Sequence, residues 1–220
     1  MSRTGDRQLN VIFIVGMAGS GKSLLTASLQ EWLRLRRQNV VVLNLDPGAQ
    51  SLPYTADVDV RTYVDIENLM KQYRLGPKSA LIMATDLVGE YIEEIKGEID
   101  ESGTDLLLVD TPGQMELFAF RESGFFISKA LGDEQTTVLY LFDAPFCRNP
   151  LNYVSNMFIA TAIYSRLTLP QVYALTKTDL VTPEELQGIL LRSETFDSLE
   201  YEIEAKLSAS TSVVIKDLAQ

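Results

Sequence analysis

A phosphate-binding pattern lies near the start of the chain, where residues 16–23 read GMAGSGKS and match G-x-x-x-x-G-K-[S/T] in full. The glycines let the backbone curl with its N–H groups pointing inward, and the helix expected to follow adds its N-terminal amides. We expect the Lys22 ammonium to reach the β- and γ-phosphates of a nucleotide and the Ser23 hydroxyl to ligate Mg²⁺. The predicted nucleotide-binding residues of this segment are Gly16, Ala18, Gly19, Ser20, Gly21, Lys22, Ser23 and Leu24.

A second cluster of reactive groups follows the apolar run 106–109. Asp110 is expected at a strand end beside the phosphate loop, where a carboxylate holds Mg²⁺ directly or through water. The Gly113 N–H can be offered to a γ-phosphate, and Gln114 and Glu116 follow where the attacking water should lie. The alternative is an aspartate that caps the next helix, with Gln114 and Glu116 on a solvated face.

Asp46 directly follows the apolar run 40–45, and it is followed by Pro47. In a doubly wound sheet the carboxyl ends of the strands converge on the ligand crevice, so we predict a functional role for Asp46. The alternative is a turn residue, because Asp-Pro is common in turns. For Arg61 the favoured interpretation is a surface ion pair.

A base-recognition motif, TKTD, occupies residues 176–179 after a further apolar run. The Asp179 carboxylate can accept hydrogen bonds from N1–H and the 2-amino group of guanine, whereas adenine offers neither donor there. The Lys177 stem can lie along the base plane. We therefore predict guanine-nucleotide binding through Thr176, Lys177 and Asp179, with GTP and GDP as ligands.

Short apolar runs alternate with longer amphipathic stretches, which predicts an α/β fold with a mainly parallel sheet. The predicted strands are 11–15, 40–45, 106–109, 138–142 and 172–175, with a possible last strand at 211–215. The predicted helices are 23–37, 60–73, 79–99, 116–130, 152–164 and 183–192. With the phosphate loop, this order predicts a three-layer P-loop NTPase fold with helices on both faces of the sheet.

The chain is expected to form a single domain over residues 1–220, since no linker or repeat divides it. Between the second and third predicted strands lies an insertion of about 47–103. Both of its halves carry apolar residues at helical spacing, so the insertion is predicted to be helical.

Composition excludes several classes of chemistry. The 220 residues include no histidine and one cysteine, which rules out imidazole catalysis, His-ligated metals and Cys-cluster zinc sites. The net charge of −11 disfavours direct binding to nucleic acid or to an anionic membrane. No apolar run approaches about 18 residues and the first residues are polar, so we expect a cytoplasmic protein without a signal peptide or membrane span.

Taken as a set, these motifs resemble those of the GPN-loop GTPases, in their archaeal branch. The long insertion contributes to this resemblance, which covers roughly residues 11–186. So do the runs LDP at 45–47, LPY at 52–54, DVDVR at 57–61 and DTPGQMELF at 110–118.

The resemblance implies a homodimeric GTPase whose nucleotide sites face the dimer interface. It implies that Asp46, Gln114 and Glu116 arrange the attacking water, and that the Gly-Pro-Asn tip of the insertion points at the phosphate site of the other subunit. It also implies a protein client related to RNA polymerase, because eukaryotic relatives act in the assembly or nuclear import of that enzyme.

Two features depart from the family pattern. The tip reads Gly76-Pro77-Lys78, so a cation that only donates replaces an amide that donates and accepts. Our hypothesis is that Lys78 acts across the dimer as a charge on the γ-phosphate, like an arginine finger; the alternative is a solvated lysine on a tight turn. The family's Ser-Ala motif follows a sixth strand, whereas Ser208-Ala209 precedes the last apolar run here.

Three functions stay open at this point. The favoured one is a Mg²⁺-dependent GTP hydrolase that works as a homodimeric switch or assembly factor. The first alternative is a guanine-nucleotide-binding assembly module with negligible turnover. The second is a related P-loop ATPase or phosphotransferase, against which Asp179 argues.

Overall fold

The computed structural model describes residues 9–132 and 135–194. Residues 208 and 209 and the predicted strand 211–215 lie outside the described residues. Within the described chain, two compact units are distinguished, and each is considered by itself. Unit 1 consists of residues 9–132, 135–141 and 160–174, and unit 2 consists of residues 142–159 and 175–194.

Six strands form one sheet in the order β3-β2-β4-β1-β5-β6. Their bounds are β1 Asn10–Gly16, β2 Val40–Asn44, β3 Val58–Asp59, β4 Leu106–Asp110, β5 Thr136–Asp143 and β6 Gln171–Thr176. The pairs β1–β4, β1–β5, β2–β4 and β2–β3 are parallel. All five predicted strands are therefore confirmed, and the α/β three-layer fold with them.

The α-helices of the described chain alternate with these strands. Their bounds are α1 Lys22–Leu35, α2 Ile66–Tyr73, α3 Pro77–Val88, α4 Ile92–Glu101, α5 Met115–Ala119, α6 Glu122–Leu131, α7 Ala144–Cys147, α8 Pro150–Leu167 and α9 Pro183–Glu194. Short 3₁₀ turns occupy Val60–Thr62, Gly89–Tyr91 and Thr178–Leu180. No helix in the described ranges is long and apolar enough to cross a membrane.

The insertion 47–103 contains α2, α3 and α4, but its helices are shorter than the predicted ones. The predicted helix 60–73 begins only at Ile66, because the Asp65 side chain accepts a hydrogen bond from the Asn68 N–H and caps α2. The predicted helix 79–99 is divided by the turn Gly89–Tyr91. The two-residue strand β3 was missed, because it is too short to show alternation.

The prediction of one continuous helix over residues 116–130 is also wrong, because the helix is interrupted between α5 and α6. At the break Arg121 adopts an extended conformation, with φ −93° and ψ 154°. The break brings Gly124 against the preceding turn, so that a Cβ there would lie 1.7 Å from the Phe118 carbonyl oxygen. Only glycine fits this close backbone approach.

The sheet order places three loops at one edge. Strand β1 lies between β4 and β5, and β2 lies next to β4. Because parallel strands end at the same edge of a sheet, the loops after β1, β4 and β2 meet there. Those loops carry the phosphate-binding pattern, Asp110 and Asp46 respectively.

Candidate functional site

The phosphate loop joins β1 to α1, as the sequence predicts. Gly19 and Gly21 have φ values of +78° and +93°, a region that side chains with a Cβ rarely adopt. Gly21 caps α1 in this left-handed conformation, and Lys22 is the first residue of the helix. The glycines of the pattern are therefore used to turn the chain into the helix N-terminus.

Lys22 is buried inside this loop, with 5% of its surface exposed. Its Nζ donates to the carbonyl oxygens of Gly16 at 2.9 Å and Met17 at 3.1 Å. Burial lowers the pKa of Lys22, while the carboxylates of Asp110 and Asp46 oppose this shift. The loop thus holds a desolvated cation between its own backbone and two carboxyl groups.

Asp110 ends β4 and is 1% exposed. Its Oδ2 accepts a hydrogen bond from the Tyr54 hydroxyl at 2.8 Å. Its Oδ1 is buried and has no hydrogen bond from any described residue. Burial raises the pKa of Asp110, whereas Ser23, Tyr54 and Lys22 act to lower it.

Asp110 and Ser23 fit a magnesium site. Mg²⁺ prefers oxygen ligands and is usually held by one or two protein groups together with substrate phosphates. A buried carboxylate oxygen without a hydrogen bond, close to the Ser23 hydroxyl, meets that requirement. The described residues contain no group of three or more acidic or sulfur ligands that would hold an ion without a nucleotide.

Asp46 links the loops that follow β2 and β4. Its Oδ1 accepts a hydrogen bond from the Gly48 N–H at 2.8 Å, and its Oδ2 accepts one from the Gly113 N–H at 3.1 Å. The buried Asn44 accepts from the Asp46 N–H at 3.1 Å and donates to Asp59 at 2.9 Å. The Gly113 N–H predicted to serve a γ-phosphate is therefore occupied by a carboxylate of the same chain.

The two residues predicted to position the water, Gln114 and Glu116, come directly after Gly113 in the chain. Gln114 is exposed and immediately precedes α5, in which Glu116 lies. The loop that carries them is anchored by Thr111, whose hydroxyl donates to the Ile14 carbonyl of β1 at 2.7 Å. Gln114 is therefore adjacent to Gly113 and exposed to solvent. It lies at the same edge of the sheet as Asp46 and Lys22.

Lys78 lies in the first turn of α3 and is exposed. The helix begins at Pro77, earlier than predicted, because proline is suited to the first helical position. One turn further on, the Leu81 side chain covers the Asp46 loop: a Cβ on Gly48 would lie 2.8 Å from Leu81 Cδ1. Lys78 makes no ion pair within the described residues.

Arg61 forms the ion pair that the sequence favoured. Its Nη2 lies 2.6 Å from Asp59 Oδ2, and its Nη1 donates to the Ala49 carbonyl at 2.8 Å. Burial opposes the shift, but hydrogen bonds from Arg61 and Asn44 lower the pKa of Asp59. This pair shapes the loop after β2, and the charge of Arg61 also interacts with that of Asp46.

The base-recognition motif lies in unit 2. Lys177 has a left-handed backbone, with φ +56°, and its Nζ lies 2.6 Å from Oδ2 of Asp143. The Thr176 hydroxyl donates to the Phe142 carbonyl at 3.1 Å. Asp179 lies in the 3₁₀ turn that follows, and it is exposed. The motif thus holds its lysine firmly and leaves its carboxylate accessible.

Sequence reasoning missed two residues of these regions, Tyr54 and Asp143. Tyr54 belongs to the run LPY at 52–54, which supported the family resemblance without a role for any of its side chains. Asp143 directly follows the predicted strand 138–142, just as Asp46 and Asp110 follow theirs. The rule that singled out those two carboxylates would have found Asp143 as well.

The fold and the phosphate loop place this protein in the class of P-loop NTPases. Comparison with known proteins identifies its family within that class. A family described as "Conserved hypothetical ATP binding protein" matches residues 14–219. The GPN-loop GTPase QQT2 of Arabidopsis thaliana is 37% identical over 170 residues, which are 76% of this chain and 45% of that protein. The GPN-loop GTPase PAB0955 of Pyrococcus abyssi is 34% identical over 193 residues, which are 87% of this chain and 75% of that protein.

The crystal structure of PAB0955 in its apo form superimposes with a TM-score of 0.78 at 34% identity, covering 88% of this chain and 77% of that one. The chain belongs to the GPN-loop GTPase family, which confirms the resemblance seen in the sequence. The chain spans about half the length of the eukaryotic relatives, 45% of QQT2 and 50% of the GPN-loop GTPase 1 of Saccharomyces cerevisiae.

Proposed function

We propose that the protein hydrolyses GTP to GDP and phosphate, with Mg²⁺, as a homodimeric switch or assembly factor. The observation that carries the proposal is the buried Asp110, whose Oδ1 has no hydrogen bond from any described residue and which lies close to Ser23 and Lys22. A buried carboxylate oxygen without a hydrogen bond is costly unless a ligand compensates it, and the Mg²⁺ of a bound nucleotide would do so. Guanine as the base is supported by the exposed Asp179 and by family membership.

The proposed reaction is in-line attack of water on the γ-phosphorus. The new P–O bond forms as the bond to the β–γ bridging oxygen breaks, so GDP leaves and the proton of the water passes to the phosphate. Lys22 and the loop amides neutralise charge on the phosphate oxygens, and Asp110 and Ser23 would hold Mg²⁺, which supplies further neutralisation there. Gln114, Glu116 and Asp46 orient the water.

The hydrogen bond between Asp46 and Gly113 gives this scheme a defined order. A backbone N–H has one hydrogen to donate, so a γ-phosphate that takes the Gly113 N–H displaces the Asp46 carboxylate. The released Oδ2 then has no other donor among the described residues and can accept a hydrogen bond from the attacking water. Asp46 therefore becomes available for its proposed role only when a γ-phosphate is bound.

A homodimer is supported by the position of Lys78. The residue is exposed and lies in the first turn of α3, the helix whose Leu81 covers the Asp46 loop. A cation presented in this way is suited to approach the phosphate site of a second copy, where it would neutralise charge on the γ-phosphate. We also propose that the protein is cytoplasmic. From the family resemblance, we propose that it serves a protein client related to RNA polymerase.

The experiment that tests the proposed function is multiple-turnover phosphate release with Mg-GTP and Mg-ATP at matched concentrations. Release from GTP alone is expected, and it should stop when the metal is chelated. Tight GTP binding without release would favour the assembly module with negligible turnover. Release from ATP at an equal or higher rate would contradict the proposal, and it would fit the description of the matching ATP-binding family.

The variant Lys78→Ala tests the action of this lysine across the dimer. We expect turnover to fall by roughly 10³-fold, the lower end of the range for a charge supplied by a partner, with little change in GTP affinity. The matched control is Lys71→Ala, which removes an exposed lysine of the same insertion that pairs with Glu67.

Mixing two inactive variants tests whether Lys78 acts on the phosphate site of its own subunit or on that of the other subunit. In a mixed dimer, a Lys22→Ala chain still carries Lys78, and a Lys78→Ala chain still carries an intact phosphate loop. Turnover should therefore reappear on mixing. If the mixture stays as inactive as its parts, or if Lys78→Ala alone hydrolyses GTP at the parent rate, Lys78 does not act across the dimer.

A further inference from the structure

Tyr54 connects the apolar core of unit 1 to the candidate metal ligand. The residue lies in the loop between β2 and β3, and its ring packs against the buried cluster of Val40, Val42 and Leu108. Its hydroxyl donates a hydrogen bond of 2.8 Å to Oδ2 of Asp110, which is 56 residues away in the chain. The ring is therefore fixed by packing while the hydroxyl reaches the buried carboxylate.

This hydrogen bond makes the two oxygens of Asp110 different. Oδ2 is used by Tyr54, whereas Oδ1 is buried without a hydrogen bond from the described residues. The carboxylate cannot rotate about its Cβ–Cγ bond without breaking the hydrogen bond between Tyr54 and Oδ2. Oδ1 therefore keeps a single orientation. In metal sites such second contacts fix the ligand and raise affinity for the ion.

The charges around the hydroxyl support this arrangement. Burial raises the pKa of Tyr54, and the charge of Asp110 and the hydrogen bond to it act in the same direction. These influences favour the neutral, hydrogen-bond-donating form of the Tyr54 hydroxyl. It satisfies one carboxylate oxygen without adding a positive charge that would compete with a cation.

We propose that Tyr54 is a positioning residue for magnesium: its hydroxyl holds Oδ2 of Asp110 so that Oδ1 is presented to the ion beside Ser23. The inference rests on the proposed function, because it assumes a magnesium-bound nucleotide. It predicts that the Tyr54 hydroxyl strengthens the coupling between magnesium and nucleotide, and that it contributes little to nucleotide affinity when no metal is present.

A purely structural role for Tyr54 has different consequences. The hydroxyl would then only satisfy a buried carboxylate, and its loss would lower thermal stability without changing the dependence on magnesium. The two roles are separated by a binding measurement that does not require turnover.

The test uses Tyr54→Phe in the full chain, with a fluorescent non-hydrolysable GTP analogue titrated at a series of Mg²⁺ concentrations and in excess chelator. The control is Tyr63→Phe, which loses a hydroxyl that donates to Glu98, a residue outside the proposed site, at 2.6 Å. Tyr54→Met, which also fills the space beside the apolar cluster, is measured in parallel so that the result does not depend on one variant folding.

For Tyr54→Phe we expect the Mg²⁺ concentration at half-maximal effect to rise about 10- to 100-fold, while affinity in chelator stays within a few-fold of the parent. Tyr63→Phe should behave as the parent in both conditions. An unchanged magnesium midpoint in folded Tyr54→Phe and Tyr54→Met would overturn the inference alone. A parent protein whose binding of the analogue does not depend on magnesium would overturn the proposed function itself.

Discussion

The two regions proposed to bind the nucleotide are built in opposite ways. The phosphate region, comprising residues 16–23, Asp46, Asp110 and Gly113, has buried charged groups at its centre: Lys22 and Asp110 are 5% and 1% exposed. The base region, comprising residues 176–179 and Asp143, is open: Asp179 is exposed, and the Lys177–Asp143 ion pair joins side chains that are 34% and 16% exposed.

The difference follows from what each region must do. Buried charges are costly unless fixed partners compensate them, so the phosphate region holds its lysine and carboxylates with contacts from several distant segments. Such a site is suited to neutralising charge in a defined geometry. An exposed aspartate costs the folded protein little free energy while water solvates it. A base that cannot donate hydrogen bonds to the carboxylate binds weakly, because it removes this water without replacing its hydrogen bonds. We therefore expect phosphate-region changes to alter catalysis and base-region changes to alter nucleotide binding.

The largest effect is expected for Asp179→Asn. The amide can donate where the carboxylate could only accept, so GTP affinity should fall by roughly 10³-fold or more, and xanthosine triphosphate should become the preferred ligand. Competition binding with GTP, xanthosine triphosphate and ATP measures the change. Turnover at saturating xanthosine triphosphate should approach that of the parent with GTP; an unchanged base preference would remove Asp179 from the base region.

A smaller and qualitatively different effect is expected for Asp46→Ala. Turnover should fall by about 10²-fold because a group that orients the water is lost. GTP affinity should stay the same or tighten, because no carboxylate competes for the Gly113 N–H. Separate determination of kcat and of analogue affinity tests this split.

Asp46→Asn is the matched variant, because its amide oxygen can still accept from Gly113 and keep the two loops joined. Turnover should fall by a similar factor here, because the neutral amide accepts a hydrogen bond from water less strongly than a carboxylate does. If Asp46→Asn retained the parent turnover, or if both variants lost affinity in proportion to turnover, Asp46 would serve only to hold the loops.

The smallest effect is expected for Asp143→Asn. Loss of the charged partner should loosen Lys177 and weaken GTP and GDP binding by the same factor, about 10-fold, a loss typical of a part-buried charged hydrogen bond. Turnover at saturation and base preference should not change. The control is Glu185→Gln, which removes the partner of Arg148 at 3.2 Å in the same unit and is expected to be neutral. Unequal losses for GTP and GDP would mean that Asp143 also affects the phosphate region.

Several features of the fold could be predicted because they depend on neighbours in the chain. The five long strands are apolar runs bounded by polar residues, and the phosphate loop needs glycines at the left-handed positions 19 and 21. The helix breaks could not be predicted in the same way. The break between α5 and α6 depends on Gly124 contacting the backbone of Phe118, and helical periodicity continues through it unchanged.

The sequence by itself determined which residue types are available for phosphate and base recognition and at which strand ends they lie. Only the tertiary structure decided how they are paired. The contacts Tyr54–Asp110, Gly113–Asp46 and Lys177–Asp143 join residues that are 56, 67 and 34 positions apart. Such contacts depend on strand order and register, which arise from packing of the whole sheet and are not encoded in any local pattern.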